Sequence, residues 1–143
     1  GALLSSAPAS TRAALRRFGI SFGTAYQVFD DCLDVFGSEE AAGKTLGTDL
    51  ANGKVTLPLL LAHREASAED RASLEALLAH HSNGHDDTLR SILDRCSSAR
   101  LSREAVESLL EKAREALRPL HSTASLLALT RFLATQVTRL SAT

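Results

Sequence analysis

Three carboxylates stand within five residues of an otherwise apolar stretch, Gly23-Thr24-Ala25-Tyr26-Gln27-Val28-Phe29-Asp30-Asp31-Cys32-Leu33-Asp34. Burying an unpaired carboxylate is costly because the charge loses its water. A fold therefore keeps such a cluster where a cation or a cleft relieves the repulsion. On a helix, with Asp30 as zero, Asp34 falls at about 40° and Asp31 at about 100°. Gln27 falls at about 60° and Gly23 at about 20° on the same wheel. One polar arc thus runs along the helix, with apolar flanks formed by Phe22, Phe29, Leu33 and Phe36 and by Val28, Cys32 and Val35. Hard carboxylate oxygens in this pattern suit Mg²⁺, which takes few protein ligands and completes its octahedron with water and substrate phosphate. Asp30, Asp31 and Asp34 are the candidate metal ligands. Gln27 could orient a carboxylate or a water, or be purely structural. A solvated acidic face is the plainer alternative, weakened because residues 18–36 are apolar on most other sides.

Lys44 and Lys54 follow in a glycine-rich context. An ammonium is a compact point charge suited to a phosphate oxygen, and glycine lets a backbone approach closely. Alone, both lysines would read as loop solvation. Beside an Mg²⁺-type cluster they point to diphosphate contact.

Other chemistries are set aside on spacing. Gly37 through Thr45 superficially resembles a nucleotide-binding phosphate loop, but five residues separate Gly37 from Gly43 and the loop follows a helix, not a strand. His80, His81, His85, Asp86 and Asp87 straddle a Ser-Asn-Gly turn with no supporting cysteine and no HExxH spacing, so zinc is disfavoured. No GxSxG elbow presents a nucleophile.

The elements that must position these residues are helical. The chain has 143 residues, a net charge of −1 and little aromatic content, and Ala and Leu favour helices. No stretch alternates with period two, so an all-α single domain over 1–143 is expected. The charge balance gives no reason to expect nucleic acid, and no apolar run is long enough to span a bilayer. Cys32 and Cys96 are isolated, which fits two free thiols in a reducing cytoplasm. The spacing predicts a long helix from about residue 10, capped by Ser10 or Thr11, to Phe36, with Gly37 ending it. A loop with at most short helical turns should follow over 37–54. Thr56 and Pro58 should start a helix to about Glu65. Ser67 should cap the next, and Asp86 or Asp87 should open a short one ending near Cys96. Ser102 should cap a longer helix to about Arg118, and Ser122 or Ser125 should start the last. Residues 1–7 resemble the end of a helix stopped by Pro8, and the first residues do not form a signal peptide.

Taken together, these blocks resemble the trans-isoprenyl (polyprenyl) diphosphate synthases. Gly23 through Asp34 looks like that family's second aspartate-rich motif, with Tyr26 where Phe is usual. Gly43-Lys44-Thr45-Leu46-Gly47-Thr48-Asp49-Leu50, followed by Gly53-Lys54-Val55-Thr56-Leu57-Pro58, looks like its downstream signature. The resemblance extends more weakly to both ends but corresponds only to the family's C-terminal half. The first aspartate-rich motif, the upstream Lys, Arg and His residues for isopentenyl diphosphate, and the Lys-Thr pair have no counterpart here. The expectation is a prenyltransferase lacking its N-terminal half.

The resemblance implies the C-terminal part of the isoprenoid synthase helical bundle. It also implies head-to-tail condensation of an allylic diphosphate with isopentenyl diphosphate, in a complete enzyme that forms a homodimer. Asp30, Asp31 and Asp34 would hold Mg²⁺ on the allylic diphosphate, while Lys44 and Lys54 neutralise the departing pyrophosphate. Isolated, the 143 residues would be nearly inactive. A non-catalytic helical subunit that binds a partner chain is the alternative.

Overall fold

The structure, a computed structural model, describes residues 2–3, 5–37, 47–79 and 87–140. Lys44 and most of the His80–Asp87 segment (His80, His81, His85 and Asp86) lie outside the described residues. Among the described residues the chain forms helices and no strand. These are α1 (Ala9–Phe36), α2 (Thr48–Ala51), α3 (Leu57–Glu65), α4 (Ala68–Ala79), α5 (Asp87–Arg95), α6 (Ser98–Leu117) and α7 (Ala124–Leu140). The all-α expectation is met.

The architecture is a pair of long helices with smaller ones laid around it. α1 buries Ala14, Phe18, Ala25, Val28, Cys32 and Val35, a three-and-four spacing that makes one stripe. α6 answers with Val106, Leu110, Ala113 and Leu117 at the same spacing. Ala25 and Ala113 are fully buried, and their small side chains let the two backbones approach. Leu133 and Val137 of α7 close the middle of this seam. Phe18 and Phe22 stack at a ring distance of 5.6 Å, joining the seam to Ala116 and Leu117 at the other end. Around the C-terminal end of α1, Val35 packs with Leu50, Leu59, Leu74, Leu89 and Ile92, which draws in α2 through α5. The buried Ser98 hydroxyl donates to the Pro58 carbonyl at 2.6 Å, pinning the start of α6 to the start of α3.

Several expected boundaries move, each for a local reason. α1 begins at Ala9 with Pro8 as its cap residue; Ser10 and Thr11 lie inside the first turn, because proline's fixed φ suits a helix entrance. Residues 2–3 and 5–6 form turns, not the end of a helix. Gly37 does end α1, but in extended backbone, with its N–H on the Leu33 carbonyl at 2.9 Å. α6 starts at Ser98, four residues before the expected cap; Ser102 is inside the helix and buried. Thr56 precedes α3 as expected, yet its side chain makes no cap. Ser67 does cap α4, its hydroxyl accepting the Asp70 N–H at 3.1 Å. α7 starts at Ala124, between the two serines proposed for it.

Leu110→Ala should lower the unfolding free energy by about 2–5 kcal/mol, the range for emptying a buried leucine site. Leu129→Ala, at a site 46% exposed, should change it by no more than about 0.5 kcal/mol. Urea denaturation followed by circular dichroism checks both.

Candidate functional site

The site is built from the last turns of α1 and from residues 47–54. Asp31 and Asp34 are buried, and Asp30 is half-buried beside them. Asp34 has both oxygens engaged. Oδ1 accepts from the Thr48 N–H at 3.3 Å and from the Thr48 hydroxyl at 3.2 Å, and Oδ2 accepts from the Asp49 N–H at 3.1 Å. The Asp34 main-chain carbonyl accepts the Gly47 N–H at 3.0 Å. Gly47 has φ 72°, a left-handed conformation that glycine adopts without a Cβ penalty. That turn aims the first N–H groups of α2 at the carboxylate, where a negative charge is favoured.

Asp49 is thereby carried to the acidic arc. Its Oδ2 accepts from Lys54 Nζ at 3.1 Å, and the same ammonium lies 3.8 Å from Asp31 Oδ1. Lys54 is also held through its backbone: its N–H donates to the Asp49 carbonyl at 2.8 Å, and Gly53, at φ 72°, turns the chain to permit it. Gln27 completes the arrangement by donating its side-chain N–H to Asp31 Oδ1 at 2.9 Å. A continuous circuit results, from Asp34 through Asp49 and Lys54 to Asp31 and Gln27.

Charge follows this geometry. The hydrogen bond to Asp49 raises the Lys54 pKa above the ordinary lysine value, and the charges of Asp49, Asp31 and Asp30 act in the same direction. Its favourable interactions are therefore present below that range and are lost only as pH climbs through the raised value.

Beside the arc, Phe29, Cys32, Phe36, Val106 and Val137 line a narrow, largely apolar crevice together with Ala99 and Arg103. Burial pushes the Cys32 thiol up to about 12, the Ser102 hydroxyl opposes this, and the charge of Asp31 adds to it. Cys32 and Cys96 are both buried and unpaired with each other, as expected.

The structure thus brings together Asp31, Lys54 and Gln27 from the expected set. Asp34, expected as a metal ligand, accepts hydrogen bonds from Thr48 and Asp49 and so tethers α2. Lys44 lies outside the described residues. Asp49 is the site residue that sequence reasoning missed. It stands in the Gly43–Leu50 block, but no periodicity links it to α1; the Asp34 tether and the Val35–Leu50 packing place it there. Among the described residues, no three His, Cys, Asp or Glu side chains gather closely enough to hold a metal ion by themselves. No described helix is long and apolar enough to cross a membrane.

Comparison with known proteins agrees with this picture. A family model described as polyprenyl synthetase matches residues 1–96 of the 143. This chain belongs to the polyprenyl synthetase family. The match takes in α1 through α5 and the whole Asp31–Asp49–Lys54 circuit.

Curated relatives in this family include a short chain isoprenyl diphosphate synthase of Methanothermobacter thermautotrophicus, 41% identical over 78 residues. An octaprenyl diphosphate synthase of Escherichia coli is 33% identical over 110 residues. Component 2 of a heptaprenyl diphosphate synthase of Bacillus subtilis is 40% identical over 74 residues. The matched stretches cover 54%, 76% and 52% of this chain, but only 24%, 34% and 21% of the respective relatives. The matched part of this polyprenyl synthetase chain therefore spans about a third or less of the length of those relatives.

Two outcomes are expected. Asp34→Ala should speed amide hydrogen exchange at Thr48 and Asp49 by at least about fivefold, one lost buried hydrogen-bond acceptor being worth about 1–3 kcal/mol. Far-ultraviolet circular dichroism should show the long helices retained. At pH 8 the native protein should leave Cys32 unalkylated by iodoacetamide while the urea-unfolded protein reacts, since burial both shields the thiol and disfavours its thiolate; mass spectrometry of the labelled peptides reads this.

Proposed function

We propose that residues 27–54 form the cation and diphosphate half of a prenyltransferase site. The observation that carries the proposal is the convergence of Asp31 and Asp49 on one positive charge, the Lys54 ammonium, in a geometry fixed by Asp34. A pair of carboxylates that already holds a monovalent cation has the donor chemistry for Mg²⁺. That ion is commonly bound by one or two carboxylates and by substrate phosphates. Asp31 would hold it, with Asp30 or Asp49 as the second carboxylate and substrate phosphate completing the shell, and Gln27 would fix the orientation of the Asp31 carboxylate. Asp34 is better read as the residue that positions Asp49 than as a ligand.

When bound, Mg²⁺ supplies charge neutralisation at the diphosphate oxygens. Lys54 would place ammonium charge where the leaving group becomes more negative, a role the family resemblance also gives to Lys44. The allylic C–O bond then breaks with its electron pair on the diphosphate. Charge stabilisation positioned for that moment lowers the barrier to the allylic cation. The cation is alkylated by the double bond of isopentenyl diphosphate, a C–C bond forms, and the proton lost from the adduct goes to the released pyrophosphate. No general base from this chain is required.

The exposed face of α1 supports an opposing half. Gly19 and Gly23 continue the line of the acidic arc, and a Cβ at either would meet nothing within 4 Å in this chain. Glycine in a helix interior costs about 1 kcal/mol relative to alanine. No described neighbour requires it. Ile20 and Tyr26, on the same side, are each 55% exposed. A helix packed close against this face would account for all four residues, and it would carry the remaining acidic ligands and the isopentenyl diphosphate site. Free thiols at Cys32 and Cys96 suit a reducing cytoplasmic setting.

A second reading, a helical subunit that serves a partner chain without itself contacting substrate, draws on the same exposed side chains and on the "component 2" in the name of the Bacillus subtilis relative.

The test is a chimera in which this chain replaces the matching C-terminal portion of the Escherichia coli relative. It is incubated with an allylic diphosphate, labelled isopentenyl diphosphate and Mg²⁺. Elongated product is expected, with Asp31→Asn lowering turnover about 10²–10³-fold, the usual scale for losing one charge-stabilising group. The 143 residues alone should give none. A folded chimera that makes no product, or one indifferent to Asp31→Asn, contradicts the catalytic reading.

A further inference from the structure

We infer that Lys54 is a resident counter-cation that Mg²⁺ must displace, so that binding the metal is what delivers the Lys54 ammonium to the diphosphate. The inference rests on the proposed metal–diphosphate reading and adds an order of events to it.

The argument begins with what Lys54 touches. Its Nζ is 3.1 Å from Asp49 Oδ2 and 3.8 Å from Asp31 Oδ1, so it sits between two carboxylates of the site. Asp31 is buried, and a buried carboxylate without a partner is costly. Gln27 donates only one neutral hydrogen bond to it. Lys54 supplies the positive charge that makes the metal-free arrangement tolerable.

The backbone explains why this lysine and no flexible surface cation does so. The Gly53 turn and the Lys54 N–H bond to the Asp49 carbonyl fix where the side chain starts. The side chain itself is 52% exposed. It is anchored at its base and free to swing at its tip.

Lys54 and a divalent ion therefore compete for the same oxygens. An ion of charge two outbids an ammonium at close range in Coulomb terms. Once displaced, the ammonium faces repulsion from the metal and attraction from any phosphate bound to it. The two roles of Lys54 exclude each other in time. Without metal it balances Asp31 and Asp49, and with metal it is released to the diphosphate. The device keeps the acidic arc from repelling itself in the empty protein, and it couples the second charge to the first.

Removing Lys54 should thus have opposite effects on two ligands. Mg²⁺ binding is followed through the ¹³C carboxyl signals of Asp30, Asp31 and Asp49 in the 143-residue protein and in Lys54→Gln. Without diphosphate, Lys54→Gln should tighten Mg²⁺ binding roughly three- to tenfold, the scale of removing one or two exposed ion pairs. With saturating Mg²⁺, the same variant should bind inorganic pyrophosphate several-fold more weakly by calorimetry. Lys54→Arg, which keeps the charge, should leave Mg²⁺ affinity near that of the parent. Unchanged or weaker Mg²⁺ binding by Lys54→Gln overturns displacement while leaving the metal reading standing. If millimolar Mg²⁺ moves these carboxyl signals in neither protein, the metal reading falls and displacement falls with it. A merely structural lysine would weaken both ligands together.

Discussion

The carboxylate of Asp34 is the constraint on which the site depends. A buried aspartate must find donors, and this one finds them in the N–H groups of Thr48 and Asp49 and the Thr48 hydroxyl. α2 has only four residues, too few to form a stable helix alone, because nucleation is unfavourable and each turn gains few bonds. Its place is set from α1. Because Asp34 and Asp31 belong to the same rigid helix, anchoring 48–49 to one fixes Asp49 and Lys54 over the other. A single side chain converts a glycine-rich loop into one wall of a charged site.

The surrounding fold makes that anchoring durable. Val35, one residue from the tether, packs with Leu50, one residue from Asp49, in the same buried cluster. Hydrophobic burial and the polar tether thus hold the same two segments together. Further along, α6 supports α1 through a continuous apolar seam, so the acidic arc is presented on the face that this chain leaves open. Arg95 pairs with Asp70 to hold α5 on α4, and the Ser98–Pro58 hydrogen bond ties the two halves of the bundle at their base. None of these contacts touches the arc; they keep its helix in place.

Much of this was legible in the sequence. The apolar flanks of Phe22, Phe29, Leu33 and Phe36 and of Val28, Cys32 and Val35 specified a long helix, and their polar complement specified the arc. Element order and the all-α class followed from the absence of period-two alternation. Boundaries were less legible where capping was read from residue type alone. Ser102 has the chemistry of a cap, but the seam needs a small residue there facing Cys32, and packing took precedence over local propensity. Asp49 was invisible to periodicity because a turn at Gly47 brings it in. Asp34 was read by its type as one of three candidate ligands, whereas the donors within its reach tie it to residues 48–49. The distinction between a carboxylate that holds a cation and one that holds a backbone is set by tertiary neighbours, which spacing on one helix cannot encode.

The central claim is that the Asp31–Asp49 pair, and not Asp34, receives the metal. The most direct measurement is a crystal structure of the protein soaked with Mn²⁺ and pyrophosphate, with the ion located by its anomalous signal. The account predicts an ion at coordination distance, about 2.1 Å, from oxygens of Asp31 with Asp30 or Asp49. It further predicts Lys54 Nζ moved onto a phosphate oxygen and the Asp34 contacts to residues 48–49 unbroken. An ion bound to Asp34 with those contacts broken, or pyrophosphate bound with no ion beside Asp31, would contradict it.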